Sequence, residues 1–145
     1  TAPLLDELAS TIEMFRYQFK GVQVSTDFQG NSIIQANFGE INQVVLNLLV
    51  NAAQAGATTI SIEGREDARE NIFFVAVHDN GPGIPQKIIE RMFDPFFTTK
   101  GAGNSGLGLS ISKGIIEKHG AHLDVKSQLG FGTTFTIRFP RGYQQ

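Results

Sequence analysis

Apolar residues recur at Leu4, Leu5, Leu8, Ile12, Phe15 and Phe19. That is close to the spacing of a helix with one buried stripe, and Gly21 supplies its stop. VQVSTDF then alternates, with Val22, Val24 and Phe28 on related faces, which predicts a strand. SIIQA (32–36) predicts a short second strand. From Glu40 to Ala55 the helical period returns: Ile41, Val44, Val45, Leu48, Leu49 and Ala52 form one wide apolar face before Gly56. TTISIEGR (58–65) and NIFFVAVHD (71–79) predict two strands joined by a charged, exposed link, EDAREN. Pro85 opens a short helix from Gln86 to Met92. FDPFFTTKGAGNSG (93–106) has no period and predicts a loop, and a mobile one. GLGLSISKGIIEKHG predicts a helix that starts on glycines and ends at Gly120. HLDVKSQLGFGTTFTIRFP predicts two last strands about a glycine turn near 130–132.

Strands and helices are mixed in order, several strands are adjacent, and three helices are long enough to cover a sheet. The expected class is α+β, a two-layer sandwich of one sheet under a helical layer. A length of 145 residues suits a single domain, 1–145. With 41% apolar and 18% charged residues the composition is that of an ordinary soluble globular domain. A net charge of −2 carries no global footprint for nucleic acid. The absence of cysteine excludes disulfides and thiolate metal sites and is compatible with a reducing cytosol. No apolar run reaches the roughly 18 residues of a membrane span. TAPLLDELAS lacks a basic leader before an apolar stretch, and reads as a cut at a domain boundary.

Four short stretches carry chemistry. The strand IFFVAV ends in HDNGPGIP, where a carboxylate precedes a turn too stiff for a simple hairpin. Asp79 is either an exposed turn residue or an acceptor for a donor group such as the amine of adenine. Glycine at 81 and 83 lets backbone approach a flat ligand. In NLLVNAA, Asn47 and Asn51 are four apart and share a helix face. They either bond to neighbouring loops or offer amide oxygens to a hard cation such as Mg²⁺, which borrows other ligands from phosphates. GNSGLGLS (103–110) places glycines at a helix start, where free N–H groups suit phosphate; Ser105 is equally suited to a simple N-cap. It is neither a Walker loop nor a dinucleotide fingerprint. GFGTTF is either a tight hairpin or the means of setting Thr133 beside Asp79, if the last strand neighbours IFFVAVHD. Together these supply an acceptor for a base, a cation site and a phosphate cradle.

The same residues resemble a known family. NLLVNA resembles the N box, DNGPGIP the first glycine box, FDPFF the F box, GNSGLGLS the second glycine box and GFGTTF the third. In order and spacing, over roughly residues 20–140, they are similar to the ATP-binding catalytic domain of two-component sensor histidine kinases. That superfamily includes gyrase B, heat-shock chaperone ATPases and MutL. FDPFFTTK with a short lid most resembles the nitrogen-regulation and dicarboxylate-sensing type. The resemblance implies the Bergerat fold, a mixed five-stranded sheet with three main helices on one face and a mobile lid. It implies that Asp79 accepts from the adenine amine, with Thr133 assisting through water, and that Gly81, Gly83 and Ile84 lie against the base. Asn51 would ligate Mg²⁺ and Asn47 would support the phosphates, the two catalytic positions. Gly106 and Gly108 would offer N–H groups to phosphate beside Ser105, and Leu107 and Leu109 would anchor the lid. Phe93, Phe96 and Phe97 would seat it.

The implied activity is transfer of the γ-phosphoryl of Mg-ATP to a histidine on a separate dimerisation domain of the same protein, with a response regulator downstream. The domain would be cytoplasmic, touching neither nucleic acid nor membrane, whether or not its parent is anchored. This chain departs from the family at several places. Asn47 stands where the hydrolytic members carry a glutamate, which favours transfer over hydrolysis. Gln54 and Ala55 replace a basic residue and an aromatic, leaving Lys100 as the candidate for phosphate charge. Asn104 stands where glycine is usual. No phosphoacceptor is evident: His78, His119 and His122 all read as structural. The alternatives are a hydrolytic ATPase, an anti-sigma-type serine kinase, or a non-catalytic nucleotide-sensing or protein-binding module.

Overall fold

The computed structural model describes residues 2–94 and 108–140. The chain opens with β1 (Ala2–Pro3) and α1 (Leu4–Gln18) and continues through β2 (Gln23–Gln29), β3 (Ile33–Ile34) and α2 (Phe38–Gln54). The hairpin β4 (Thr59–Asp67)–β5 (Ile72–Asp79) and the short α3 (Gln86–Ile89) follow. Then come α4 (Gly108–Lys118) and a second hairpin, β6 (His122–Gln128)–β7 (Gly132–Pro140).

Strand alternation decides which side of the sheet is covered. The five main strands lie in the order β2-β4-β5-β7-β6, with β2 parallel to β4 and the other pairs antiparallel. One parity is buried: Ile60 and Ile62, then Phe73, Val75 and Val77, then Phe135, Ile137 and Phe139. The opposite parity carries Glu63, His78, Lys126 and Arg138, all exposed. The sheet is therefore wetted on one face, as antiparallel sheets allow. The buried parity of β5 continues unbroken to Asp79, which aims that carboxylate at the covered side.

Three helices form the cover, as expected from sequence. α1 buries Leu8, Ile12 and Phe15, the central α2 buries Ile41, Val44, Val45, Leu48 and Leu49, and α4 buries Ile116. Asn42 knits α1 to α2: its Nδ2 donates to the carbonyls of Glu7 (3.0 Å) and Phe38 (2.9 Å), and its Oδ1 accepts from Thr11. Within the sheet, Phe28 and Phe73 pack 5.9 Å apart over Gly64, where a Cβ would sit 2.6 Å from the Phe28 ring. Glycine in mid-strand here makes room for the aromatic pair.

The boundaries shift for local reasons. SIIQA contributes only two paired residues, in a separate ladder between β1 and β3 that pins the start of α1. α2 begins at Phe38 rather than Glu40, because Asn37 caps it by accepting from the Glu40 N–H at 3.1 Å. β4 runs on through Glu66 and Asp67, which pair with Phe73 and Ile72, so the reversal is confined to the end of the charged link. α3 is a single turn that ends at Ile89, short of Met92, and decays into hydrogen-bonded turns through Asp94.

Candidate functional site

Asp79 is 7% exposed at the end of β5, and its register partner across the sheet is Thr133, 4% exposed at the start of β7. Two polar side chains thus share the covered face where the neighbouring positions of the same parity are apolar. The Asp79 Oδ1 accepts from the Gly81 N–H at 2.8 Å, which satisfies one oxygen of the carboxylate within its own turn. The turn then docks on the β6–β7 hairpin. Gly130 N–H donates to the Pro82 carbonyl at 2.8 Å, and Ile84 N–H donates to Ser127 Oγ at 2.7 Å. Gly83 makes that docking feasible: its φ is +84°, and a Cβ there would lie 2.5 Å from the Gln128 carbonyl oxygen. Gly132 is tighter still, with φ +127° and a Cβ position 1.9 Å from the Asp79 carbonyl oxygen. The rigidity of HDNGPGIP is that of a turn clamped on a second hairpin.

Asn80 clamps the other side. Its Oδ1 accepts from the N–H groups of Thr58 (2.8 Å) and Thr59 (3.0 Å), and its Nδ2 donates to Thr58 Oγ1 at 2.9 Å. The turn is thereby tied to the segment that leaves α2, the helix of Asn47 and Asn51. Both asparagines are half-buried. Asn47 Nδ2 donates to the buried Ser112 Oγ at 3.1 Å, which leaves its oxygen available on the side of α4. A Cβ on Gly108 would lie 2.9 Å from that Asn47 oxygen, so the bare backbone of the first turn of α4 packs directly on α2. Leu109 packs on the core beside it. The oxygen donors of Asn47 and Asn51 are amides, hard and neutral, of the kind Mg²⁺ takes alongside waters and phosphate. The donor set and the glycine-lined approaches fit a cation-bound nucleotide.

Of the residues singled out from sequence, Asp79, Gly81, Gly83, Ile84 and Thr133 come together through strand register and the docked turn. Asn47 and Gly108 come together where α2 meets α4. Phe96, Lys100, Ser105, Gly106 and Leu107 lie outside the described residues, as do Phe97 and Asn104. Phe93 is half-buried against the core, with the Lys113 ammonium 5.1 Å from its ring centroid. The histidines have local partners or none that bear on the site. His119 Nδ1 donates to the Ile115 carbonyl and its Nε2 accepts from Asn37 N–H, while His78 Nδ1 lies 2.7 Å from Thr134 Oγ1 on the open face. His122 is exposed on that same open face.

Three positioning groups escape motif reading: Asn80, Ser112 and Ser127. For the two serines a signal existed. Each stands at a core position of an otherwise apolar series, Leu123–Val125–Ser127 on β6 and Leu109–Ser112–Ile116 on α4, and a buried hydroxyl needs partners.

Comparison with known proteins agrees with the fold. Residues 37–143 match the family described as histidine kinase-, DNA gyrase B-, and HSP90-like ATPase. The sensor histidine kinase ZraS of Salmonella typhimurium is 36% identical over 145 residues, covering 97% of this chain and 31% of ZraS. The signal transduction histidine-protein kinase AtoS of Escherichia coli is 39% identical over 132 residues, covering 85% of this chain and 21% of AtoS. The chain thus spans less than a third of either relative. Among solved structures, the nucleotide-free catalytic domain of the histidine kinase ThkA superposes with a TM-score of 0.84 at 28% identity, over 97% of this chain and 93% of that one. The sheet order, the buried Asp79–Thr133 pair, the paired asparagines of α2 and these matches have one reading: the chain belongs to the histidine kinase-, DNA gyrase B- and HSP90-like ATPase family.

Proposed function

We propose that this domain is the catalytic part of a sensor histidine kinase. It binds Mg-ATP and presents the γ-phosphoryl group to a histidine on a dimerisation domain of the same protein, from which a response regulator is then phosphorylated. The domain would work in the cytoplasm. The observation that carries the reading is Asp79: a carboxylate held on the apolar parity of a sheet, braced by its own turn, faces the covered side. An exocyclic amine is the group such an acceptor suits. Gly81, whose Cβ position lies 3.0 Å from Asp79 Oδ1, keeps a side chain off that carboxylate, and Ile84 supplies apolar surface at its edge.

At the other end, Asn51 would ligate the cation and Asn47, steadied by Ser112, would orient the phosphates with the N–H groups around Gly108. Bound Mg²⁺ would neutralise charge on the phosphates during transfer. Asn47 has no basic atom with which to activate water, which supports transfer to a protein acceptor over hydrolysis. The work of the chain is binding, orientation and exclusion of water; the nucleophile belongs to the dimerisation domain.

Calorimetric titration with a non-hydrolysable ATP analogue, with and without Mg²⁺, tests the reading. Wild type should bind in a Mg²⁺-dependent manner. Asp79→Asn, which keeps the shape but trades an acceptor for a donor, should lose at least about tenfold in affinity, the cost of leaving polar groups mispaired. Unchanged affinity in that variant would remove Asp79 from the base subsite. No binding by wild type would end the proposal.

A further inference from the structure

Ser127 sits behind the base subsite, bonded to two residues expected to meet nucleotide, Ile84 and Thr133, and it has three polar partners. Its Oγ lies 2.7 Å from Ile84 N, 3.0 Å from the Gly132 carbonyl and 2.8 Å from Thr133 Oγ1. We infer that Ser127 is a positioning residue for base selection: it consumes the Thr133 hydroxyl proton, so that the Asp79 and Thr133 side chains offer acceptors alone and favour an amino-purine over an oxo-purine.

Proton counting leads there. A backbone N–H only donates and a carbonyl only accepts. The single proton of Ser127 must therefore go to Gly132, the one partner that has none to give and needs one. Its two lone pairs remain. One takes the Ile84 N–H. The other takes the proton of Thr133, because Ser127 has nothing left to donate. Thr133 then shows the pocket only lone pairs. Beside it, Asp79 also accepts, and the nearby Gly81 N–H is already spent on Asp79 Oδ1 at 2.8 Å. This floor suits a purine with an amino group at C6. A carbonyl at C6 would meet the two acceptor side chains, Asp79 and Thr133, and a site whose polar groups go unpaired rejects such an analogue.

The inference rests on the adenine-nucleotide reading of the same site and adds to it a residue and a direction of hydrogen bonding. The test is the ratio of affinities for ATP and inosine triphosphate, measured with Mg²⁺, with inorganic tripolyphosphate as a probe of the phosphate end alone. Wild type should prefer ATP strongly. Ser127→Ala frees the Thr133 hydroxyl to donate, and the ratio should fall about fivefold to tenfold, the worth of one hydrogen bond gained by the wrong base. Tripolyphosphate affinity should not move. Ser127→Thr, which keeps the hydroxyl, should restore the ratio. In a Thr133→Val background, Ser127→Ala should no longer change it.

An unchanged ratio in Ser127→Ala overturns the inference. So does an equal drop in the Thr133→Val background, which would place the effect at the released Ile84 N–H. Each variant is checked by thermal melting, and if Ser127→Ala does not fold, Ser127→Cys is read by the same criteria. If wild type binds neither nucleotide, both readings fail together. If wild type prefers ATP and Ser127→Ala keeps that preference, this one alone fails.

Discussion

Asn47 and Ser112 meet across the α2–α4 interface, amide nitrogen to hydroxyl, at 3.1 Å. The bond anchors an amide whose oxygen and nitrogen lie 2.9 and 3.1 Å from the Gly108 Cβ position. Rotating it would turn a donor where an oxygen now lies 2.9 Å from the Gly108 Cβ position. Ser112→Ala removes the hydroxyl from a residue only 2% exposed. The expected cost is about 1 kcal/mol, a few degrees in Tm. Nucleotide affinity should fall more than stability alone explains, because the amide is then free to flip. A variant that melts early but binds as wild type does would show the bond to be structural only.

Asn80 separates two functions that one side chain performs. Its oxygen receives two backbone N–H groups and its nitrogen reaches Thr58 Oγ1. Asn80→Asp keeps the two accepted bonds and lets the Thr58 hydroxyl donate where Nδ2 donated to it, so it should cost under about 1 kcal/mol. Asn80→Ala abandons the backbone N–H groups of Thr58 and Thr59 and should cost about 2–3 kcal/mol. Urea midpoints for the two variants give the ranking, and an alanine variant as stable as the aspartate one would contradict it.

Much of this was readable in the chain because periodicity and burial coincide. The alternation IFFVAVHD ran through to Asp79, and the wide face of α2 was plain from Ile41 to Ala52. The resemblance of five motifs then gave the site its order. The remainder depends on long-range pairing. Nothing local in SIIQA says that only Ile33 and Ile34 pair, or that they pair with the first residues of the chain. Asn37 becomes a cap only because the helix starts there. Asn80 is not singled out by its neighbours, since its partners lie 21 and 22 residues away. Ser127 and Ser112 stand as polar letters on apolar parities, but nothing local names their partners.

Two glycines, one at the site and one remote from it, should respond oppositely to the same substitution. Gly132→Ala would place a Cβ 1.9 Å from the Asp79 carbonyl oxygen at a φ of +127°. Backbone on both sides must move, and the expected loss is about 3 kcal/mol or more, with nucleotide binding lost as Asp79 shifts. Gly114 is the contrast: it lies within α4 with nothing within 4 Å of its Cβ position. Gly114→Ala should stabilise by about 0.5–1 kcal/mol through helix propensity. Denaturation of both variants checks the pair, and a stabilised Gly132→Ala would mean the hairpin is not clamped as described.

The far ends of α2 and α4 offer two contacts of different worth. Lys118 Nζ donates to Glu40 Oε2 at 2.7 Å, but the lysine side chain is 62% exposed. Such a pair gains little over hydrated ions and is screened by salt, so Lys118→Ala should cost under about 0.5 kcal/mol, and less at high ionic strength. His119 is a relay between main chains: it donates from Nδ1 to the Ile115 carbonyl at 2.8 Å and accepts at Nε2 from Asn37 N–H at 3.0 Å. That second bond holds the residue whose own side chain caps α2 through the Glu40 N–H. His119→Ala thus loses two neutral hydrogen bonds and loosens a cap, an expected cost of about 1–2 kcal/mol that salt should not alter. Neither residue borders the nucleotide site, so affinity for the ATP analogue should be unchanged in both. Thermal melts at low and high salt decide the matter: if Lys118→Ala proves the costlier, charge rather than the imidazole relay joins these helix ends.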